Sequence, residues 1–222
     1  MDQSSICYIV CALPQEQPPA PKPGDLVIAA DAGYRNLGGV KADYVVGDFD
    51  SLGYVPEGEH VVRHPAEKDD TDAMLAARLG LSLGYRRFIL LGSVGGRLDH
   101  TLANIQTLAF LQGRGARACL LGEEQTIAIL ERETLRFRAG LTGIVSVFAY
   151  DKTACGVYER GLKYPLTDAA LTDDFPLGVS NAFTSAPAEI SVEQGRLLVL
   201  WSATPEDSDF FQSAFEKNLT KP

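Results

Sequence analysis

Apolar residues arrive along this chain in short blocks. Residues 5–13, 26–30 and 44–46 are runs of strand length, and Val61 and Val62 mark a weaker fourth. Short apolar runs bounded by turn-forming residues read as buried strands. The period then changes. Met74, Leu75, Leu79 and Leu83 recur at helical spacing, so a helix is predicted over residues 70–83, stopped by Gly84. Residues 87–91 form another buried run, residues 98–111 a second helix closed by Gly113, and residues 118–121 and 126–130 two more strands. Strands alternating with helices predict a parallel α/β sheet.

Beyond Glu131 the helical period disappears. Residues 135–137, 144–150, 157–160, 189–192 and 197–201 read as strands, punctuated by Gly140, Gly143, Gly161, Gly178 and Gly195. That pattern predicts a small all-β sandwich. The expected fold class is therefore an N-terminal parallel-sheet α/β domain over residues 1–130, followed by a C-terminal β-sandwich domain over residues 131–222. A chain of 222 residues is comfortable for two domains of ordinary size.

Composition narrows the partners. Hydrophobic residues make up 45% and charged residues 22%, enough to bury a core without covalent staples. Cys7 and Cys11 sit in one apolar run; no second pair follows at zinc-site spacing, so they read as buried strand residues. The net charge of −9 argues against a broad nucleic-acid footprint, which needs clustered Lys and Arg. It leaves room for a nucleotide held by magnesium, helix N-termini and a few local cations. The N-terminus lacks the basic and long apolar regions of a signal peptide, and no stretch reaches the ~20 apolar residues of a membrane span. A cytoplasmic protein is expected.

The candidate chemistry lies where the predicted strands end, the edge at which open α/β sheets place ligands. Asp31 follows the second run, just before Gly33. Asp48 and Asp50 follow the third; in an extended segment residues i and i+2 point the same way, so their carboxylates would converge on a cation. Turn-capping by Asp accounts for the same residues. Lys68-Asp69-Asp70-Thr71-Asp72 opens the first helix. Asp69 or Asp70 could cap it, but Lys68 is misplaced at a helix N-terminus unless an anion such as phosphate sits there too. Gly92 to Arg97 is a glycine-rich turn between strand and helix, suited either to phosphate contact or to a tight turn. It is neither a Walker A loop nor a dinucleotide fingerprint. Arg97 adds a cation, Asp99 a carboxylate, and His100 reads as a base or a surface residue. Acids gathered at one sheet edge repel one another, and a bound cation relieves that.

Taken in order, these pieces resemble the thiamine pyrophosphokinase family: Asp31-Ala32-Gly33, Gly47-Asp48-Phe49-Asp50-Ser51, Lys68-Asp69-Asp70-Thr71-Asp72, Gly95-Gly96-Arg97-Leu98-Asp99-His100, Gly161-Leu162-Lys163-Tyr164-Pro165-Leu166 and Ser180-Asn181. The departures are Ala12-Leu13-Pro14 where a glycine is expected after the first strand, and Asp31-Ala32-Gly33 in place of the commoner Asp-Gly-Gly.

The resemblance implies a homodimer, with the active site between one subunit's α/β domain and the other's β domain. It implies transfer of pyrophosphate from Mg2+–ATP to the thiamine hydroxyl, releasing AMP. Asp48, Asp50 and Asp72 would hold magnesium. Lys68, Arg97, Asp72 and Asp99 would carry catalysis, either acid accepting the hydroxyl proton. Asp31, Gly33, Asp69, Thr71, Gly95 and Gly96 would line the nucleotide site. Tyr164, Ser180 and Asn181 would contact thiamine, with Trp201 the other candidate for stacking. A magnesium-dependent phosphohydrolase, a nucleotide-binding module without chemistry and a kinase of another small alcohol would use the same acids.

Overall fold

The computed structural model describes residues 4–15, 18–58, 60–64, 69–122, 125–202 and 204–212. The chain divides into two units, Met1–Glu123 and Glu124–Pro222.

In the first unit the strands are β1 (Cys7–Val10), β2 (Leu26–Ala30), β3 (Tyr44–Gly47), β4 (Val61–Arg63), β5 (Arg87–Leu91) and β6 (Arg117–Leu121). They form a parallel sheet in the order β6-β5-β1-β2-β3-β4. Parallel strands are covered on both faces and need apolar residues throughout. Every residue of β2, Leu-Val-Ile-Ala-Ala, is accordingly buried. Helix α1 (Asp72–Ser82) packs on β1, β2 and β3 and alongside α2 (Leu98–Gln112), which covers β6.

The buried face of α1 is not the Met74–Leu83 stripe that the periodicity suggests. Ala73, Ala76, Ala77 and Gly80 face inward, and the larger residues flank them half-exposed. Small side chains let the helix lie close: a Cβ on Gly80 would stand 2.6 Å from the Phe88 ring. The cap also differs from expectation. Thr71, not Asp69 or Asp70, caps α1, its Oγ1 accepting from the Met74 N–H at 3.2 Å.

The second unit has two antiparallel sheets. One orders as β12 (Gly178–Ala182), β9 (Ile144–Ala149), β14 (Arg196–Trp201) and β7 (Thr126–Glu131); the other as β11 (Leu166–Thr172), β10 (Thr153–Arg160), β13 (Ala188–Ser191) and β8 (Thr134–Phe137). Alternation sets the facing: Val145 and Val147 are buried, whereas Ile144 and Phe148 are exposed. Phe183 and Trp201 meet Phe137 edge-to-face in the core, and Phe210 packs at a tilt against Trp201. Strands β11 and β12 carry no sequence signal, because each is a sheet edge without a continuous buried apolar run.

Candidate active site

A parallel sheet gathers its strand carboxyl ends on one edge. Asp31 directly follows β2, Asp48 directly follows β3, and α1 begins at Asp72. One carboxylate oxygen from each of these three comes within 4.8 Å of the others. Oxygens sharing a magnesium ion at ~2.1 Å are about 3 to 4 Å apart, so a small contraction suffices. Asp31 is nine-tenths buried at φ 45°, and its Oδ1 has no hydrogen-bond partner among the described residues. A buried carboxylate oxygen without a donor is costly unless a cation completes it. Gly33 belongs to the same turn, a 3-10 segment over Asp31–Asn36. A Cβ there would lie 1.9 Å from the Val10 carbonyl oxygen, so only glycine lets the turn seat on β1.

Asp50 does not join the three. The extended geometry expected of Asp48 and Asp50 is broken between them, where Phe49 takes φ 67° and buries its ring. The Asp50 N–H donates to Asp48 Oδ1 at 3.1 Å, and the exposed Asp50 carboxylate accepts from Ser51 Oγ at 3.0 Å. Both acids line an open cleft of about 750 Å³, shared with Tyr54, Arg63 and His64. Lys68 lies outside the described residues. Asp69 and Thr71 are exposed, and Asp70 pairs with Arg78 at 2.9 Å.

Strand order reverses between β1 and β5, and the glycine-rich turn lies at that switch point. Gly95 and Gly96 take φ 102° and 59°, conformations that a side chain would strain. Thr101 Oγ1 accepts from the Gly95 N–H at 3.1 Å and donates to the Gly95 carbonyl at 3.2 Å. Buried Asn104 donates to the Ser93 carbonyl at 2.7 Å, so α2 holds the turn in place. Arg97 binds Asp99 through Nη2 at 2.6 Å and Nε at 3.1 Å, and both are exposed. The hydrogen bond from Arg97 is the main cause holding the Asp99 carboxyl below its ordinary value. His100 is exposed, and its backbone N–H donates to Asp99 Oδ1.

In the second unit Tyr164 stands 57% exposed, while Trp201 is 1% exposed. Of the two rings only Tyr164 is exposed; Trp201 packs on Phe137 in the core. Ser180 sits at a bulge of β12 with φ 59°, its N–H donating to Ser146 Oγ at 3.0 Å. Asn181 is buried and fully occupied. Its Nδ2 donates to the Tyr164 carbonyl at 2.7 Å and to Glu159 Oε2 at 2.5 Å. Its Oδ1 accepts from the N–H groups of Tyr164 and Ala182, both at 2.9 Å.

Three residues escaped the sequence reading. Arg63 supplies a cation to the cleft, and its place at a strand end was the available signal. Asn36 donates to the carbonyls of Cys11 and Leu13 at 3.0 Å, clamping the segment after β1, and nothing in the sequence marks it. Glu159 is fully buried on β10. Strand parity with buried Val157 points to it.

Comparison with known proteins follows the same division. Residues 22–120 match the family model described as Thiamin pyrophosphokinase, catalytic domain, and residues 126–197 match Thiamin pyrophosphokinase, vitamin B1 binding domain. No curated protein sequence matches. Among solved structures, the fold is similar to the thiamine pyrophosphokinase of Bacillus subtilis, with TM-score 0.77 and 24% identity over 90% of this chain and 99% of that one. The thiamin pyrophosphokinase of Candida albicans gives TM-score 0.68 and 14% identity over 89% of each chain. The yeast enzyme gives 0.65 and 15% over 90% of this chain and 87% of that one. With both family models matched in order across most of its length, the chain belongs to the thiamin pyrophosphokinase family and has the activity of a thiamine pyrophosphokinase.

Proposed function

We propose that this chain transfers pyrophosphate from Mg2+–ATP to the thiamine hydroxyl, using the strand-end acids of its first unit and the Tyr164 surface of its second. The observation that carries this reading is the convergence of Asp31, Asp48 and Asp72, with an unpartnered buried oxygen on Asp31. An all-oxygen, triply acidic donor set suits magnesium better than a softer metal. Asp31, Asp48 and Asp72 would hold the ion, with Asp50 in the adjoining cleft. Bound there, magnesium would neutralise charge on the ATP phosphates.

The remaining groups position and neutralise, as catalysis of such transfers requires. The thiamine hydroxyl gives its proton to a carboxylate of the site as its oxygen bonds to the β-phosphorus; the bond to the bridging oxygen breaks, and AMP carries that oxygen away. Lys68, Arg97 and Arg63 would face the phosphates. Asp69, Thr71, Gly33, Gly95 and Gly96 would line the nucleotide. Asp99, already paired with Arg97, is a weakened proton acceptor, which suits it to orienting that arginine. Tyr164 would stack on a thiamine ring, and Ser180 at its bulge would offer its hydroxyl. Asn181 would act by holding Tyr164.

A homodimer belongs to the same proposal, one protomer's acids working with its partner's Tyr164 surface. Support comes from apolar side chains left exposed: Leu98 and Leu102 one turn apart on α2, and Ile144, Phe148 and Val179 on β9 and β12. Four free cysteines, three of them buried, suit a reducing cytoplasm. No helix among the described residues is long and apolar enough to cross a membrane.

Incubation with Mg2+–ATP and thiamine, followed by product identification, tests the reading. AMP with thiamine diphosphate is expected. ADP with thiamine monophosphate would mean phosphoryl transfer instead, and phosphate release without thiamine would mean a phosphohydrolase.

A further inference from the structure

Glu159 is a carboxylate with no exposed surface, on a strand whose neighbouring inward residue is Val157. One of its oxygens takes a hydrogen bond from Asn181; the other, Oε1, has no partner among the described residues. Burying a half-satisfied carboxylate is expensive, and burial pushes this carboxyl up to about 7 against its ordinary 4.5. Such groups persist where function needs them.

The hydrogen bonds show what it does here. An asparagine amide has two donor hydrogens and two acceptor positions. Three of the four on Asn181 go to the backbone: the N–H and carbonyl of Tyr164 and the N–H of Ala182. The fourth, a hydrogen on Nδ2, is met by Glu159 at 2.5 Å. An acceptor oxygen at that position, ionised or not, fixes which way the amide faces. The amide in turn grips both polar groups of the Tyr164 backbone. The Tyr164 ring is exposed, so core packing cannot hold it. Its backbone is fixed from below.

We propose that Glu159 is a positioning residue for thiamine recognition, acting through Asn181 to hold Tyr164 in the orientation that receives the vitamin's ring. This rests on the reading that puts thiamine against Tyr164. Glu159 touches no substrate, so its loss affects thiamine capture and leaves the nucleotide site alone.

The test compares Glu159→Leu, which removes charge and acceptor but keeps the interior apolar, with Glu159→Gln, which keeps an acceptor for Asn181. Tyr164→Ala is the reference. Glu159→Leu is expected to raise the thiamine KM at least fivefold with the ATP KM within twofold, and Glu159→Gln to hold both within twofold. Thermal melts establish that each variant is folded; should Leu fail, Glu159→Met replaces it. A thiamine KM unchanged in the folded Leu or Met variant, equal rises in both KM values, or a Gln variant as impaired as Leu would overturn the proposal. A Tyr164→Ala variant with normal thiamine KM would overturn the thiamine site itself. A raised KM in Tyr164→Ala with none in Glu159→Leu would sink the role of Glu159 alone.

Discussion

Replacing Glu159 by Gln should change how stability depends on pH, and the size follows from its surroundings. Burial raises the carboxyl from 4.5 to about 7, partly opposed by the Asn181 hydrogen bond. The folded chain therefore holds this proton more tightly than the unfolded chain does. Its stabilising contribution is complete below about pH 4.5 and is lost progressively as pH rises through 7. A shift of about 2.5 units corresponds to about 3 kcal/mol, at 1.36 kcal/mol per unit. Glutamine carries no titrating proton. The wild-type stability minus that of Glu159→Gln should thus fall by about 3 kcal/mol between pH 4.5 and pH 8. The buried amide N–H left by glutamine adds a cost of its own, but that cost is independent of pH, so the slope is the observable. Urea unfolding at half-unit pH steps reads it directly. With m near 2–3 kcal/mol/M, the midpoint difference should move by roughly 1–1.5 M. A difference flat to within about 0.5 kcal/mol, small against the linkage expected for a buried group, would refute the reasoning. So would one that rises with pH, since that would mean a carboxylate stabilised by the fold.

Three further outcomes test the rest of the molecule. Magnesium alone, at about a hundred times its dissociation constant, should stabilise the wild type by about 2.7 kcal/mol, raising Tm by roughly 5–10 °C. Asp31→Asn should lose that gain in a thermal melt while melting higher than wild type without metal, since it removes one of three crowded charges; an undiminished magnesium shift would remove Asp31 from the cation site. Trp201→Ala should cost about 3–5 kcal/mol in urea unfolding because the ring is enclosed by Phe137 and Phe210, and a cost under about 1 kcal/mol would contradict its place in the core.

Much of this fold was legible because its central strands are simple. Leu26–Ala30 and Arg87–Leu91 are apolar runs that a doubly covered sheet demands, and structure and pattern agree on them residue for residue. Edge strands lack that demand. Leu166–Thr172 buries only Leu171, so its sequence looks like loop until its pairing with Thr153–Arg160 is seen. Helical periodicity marks α1 through its large apolar residues, but close packing on the sheet selected Ala and Gly for its inward face.

By itself the amino-acid sequence determined that acids stand at successive strand ends, that a glycine-rich turn opens α2, and that two kinds of domain follow one another. These are local properties: run length, period and turn chemistry act between near neighbours. Which acids meet was decided by tertiary structure. Asp31 and Asp72 are far apart in the chain and are joined only by the sheet edge, while the left-handed Phe49 separates Asp50 from them. Tyr164 and Trp201 are both plausible stacking rings in sequence. Only the folded sandwich buries one and presents the other, and only there does Glu159 come to lie against Asn181 beneath the exposed ring.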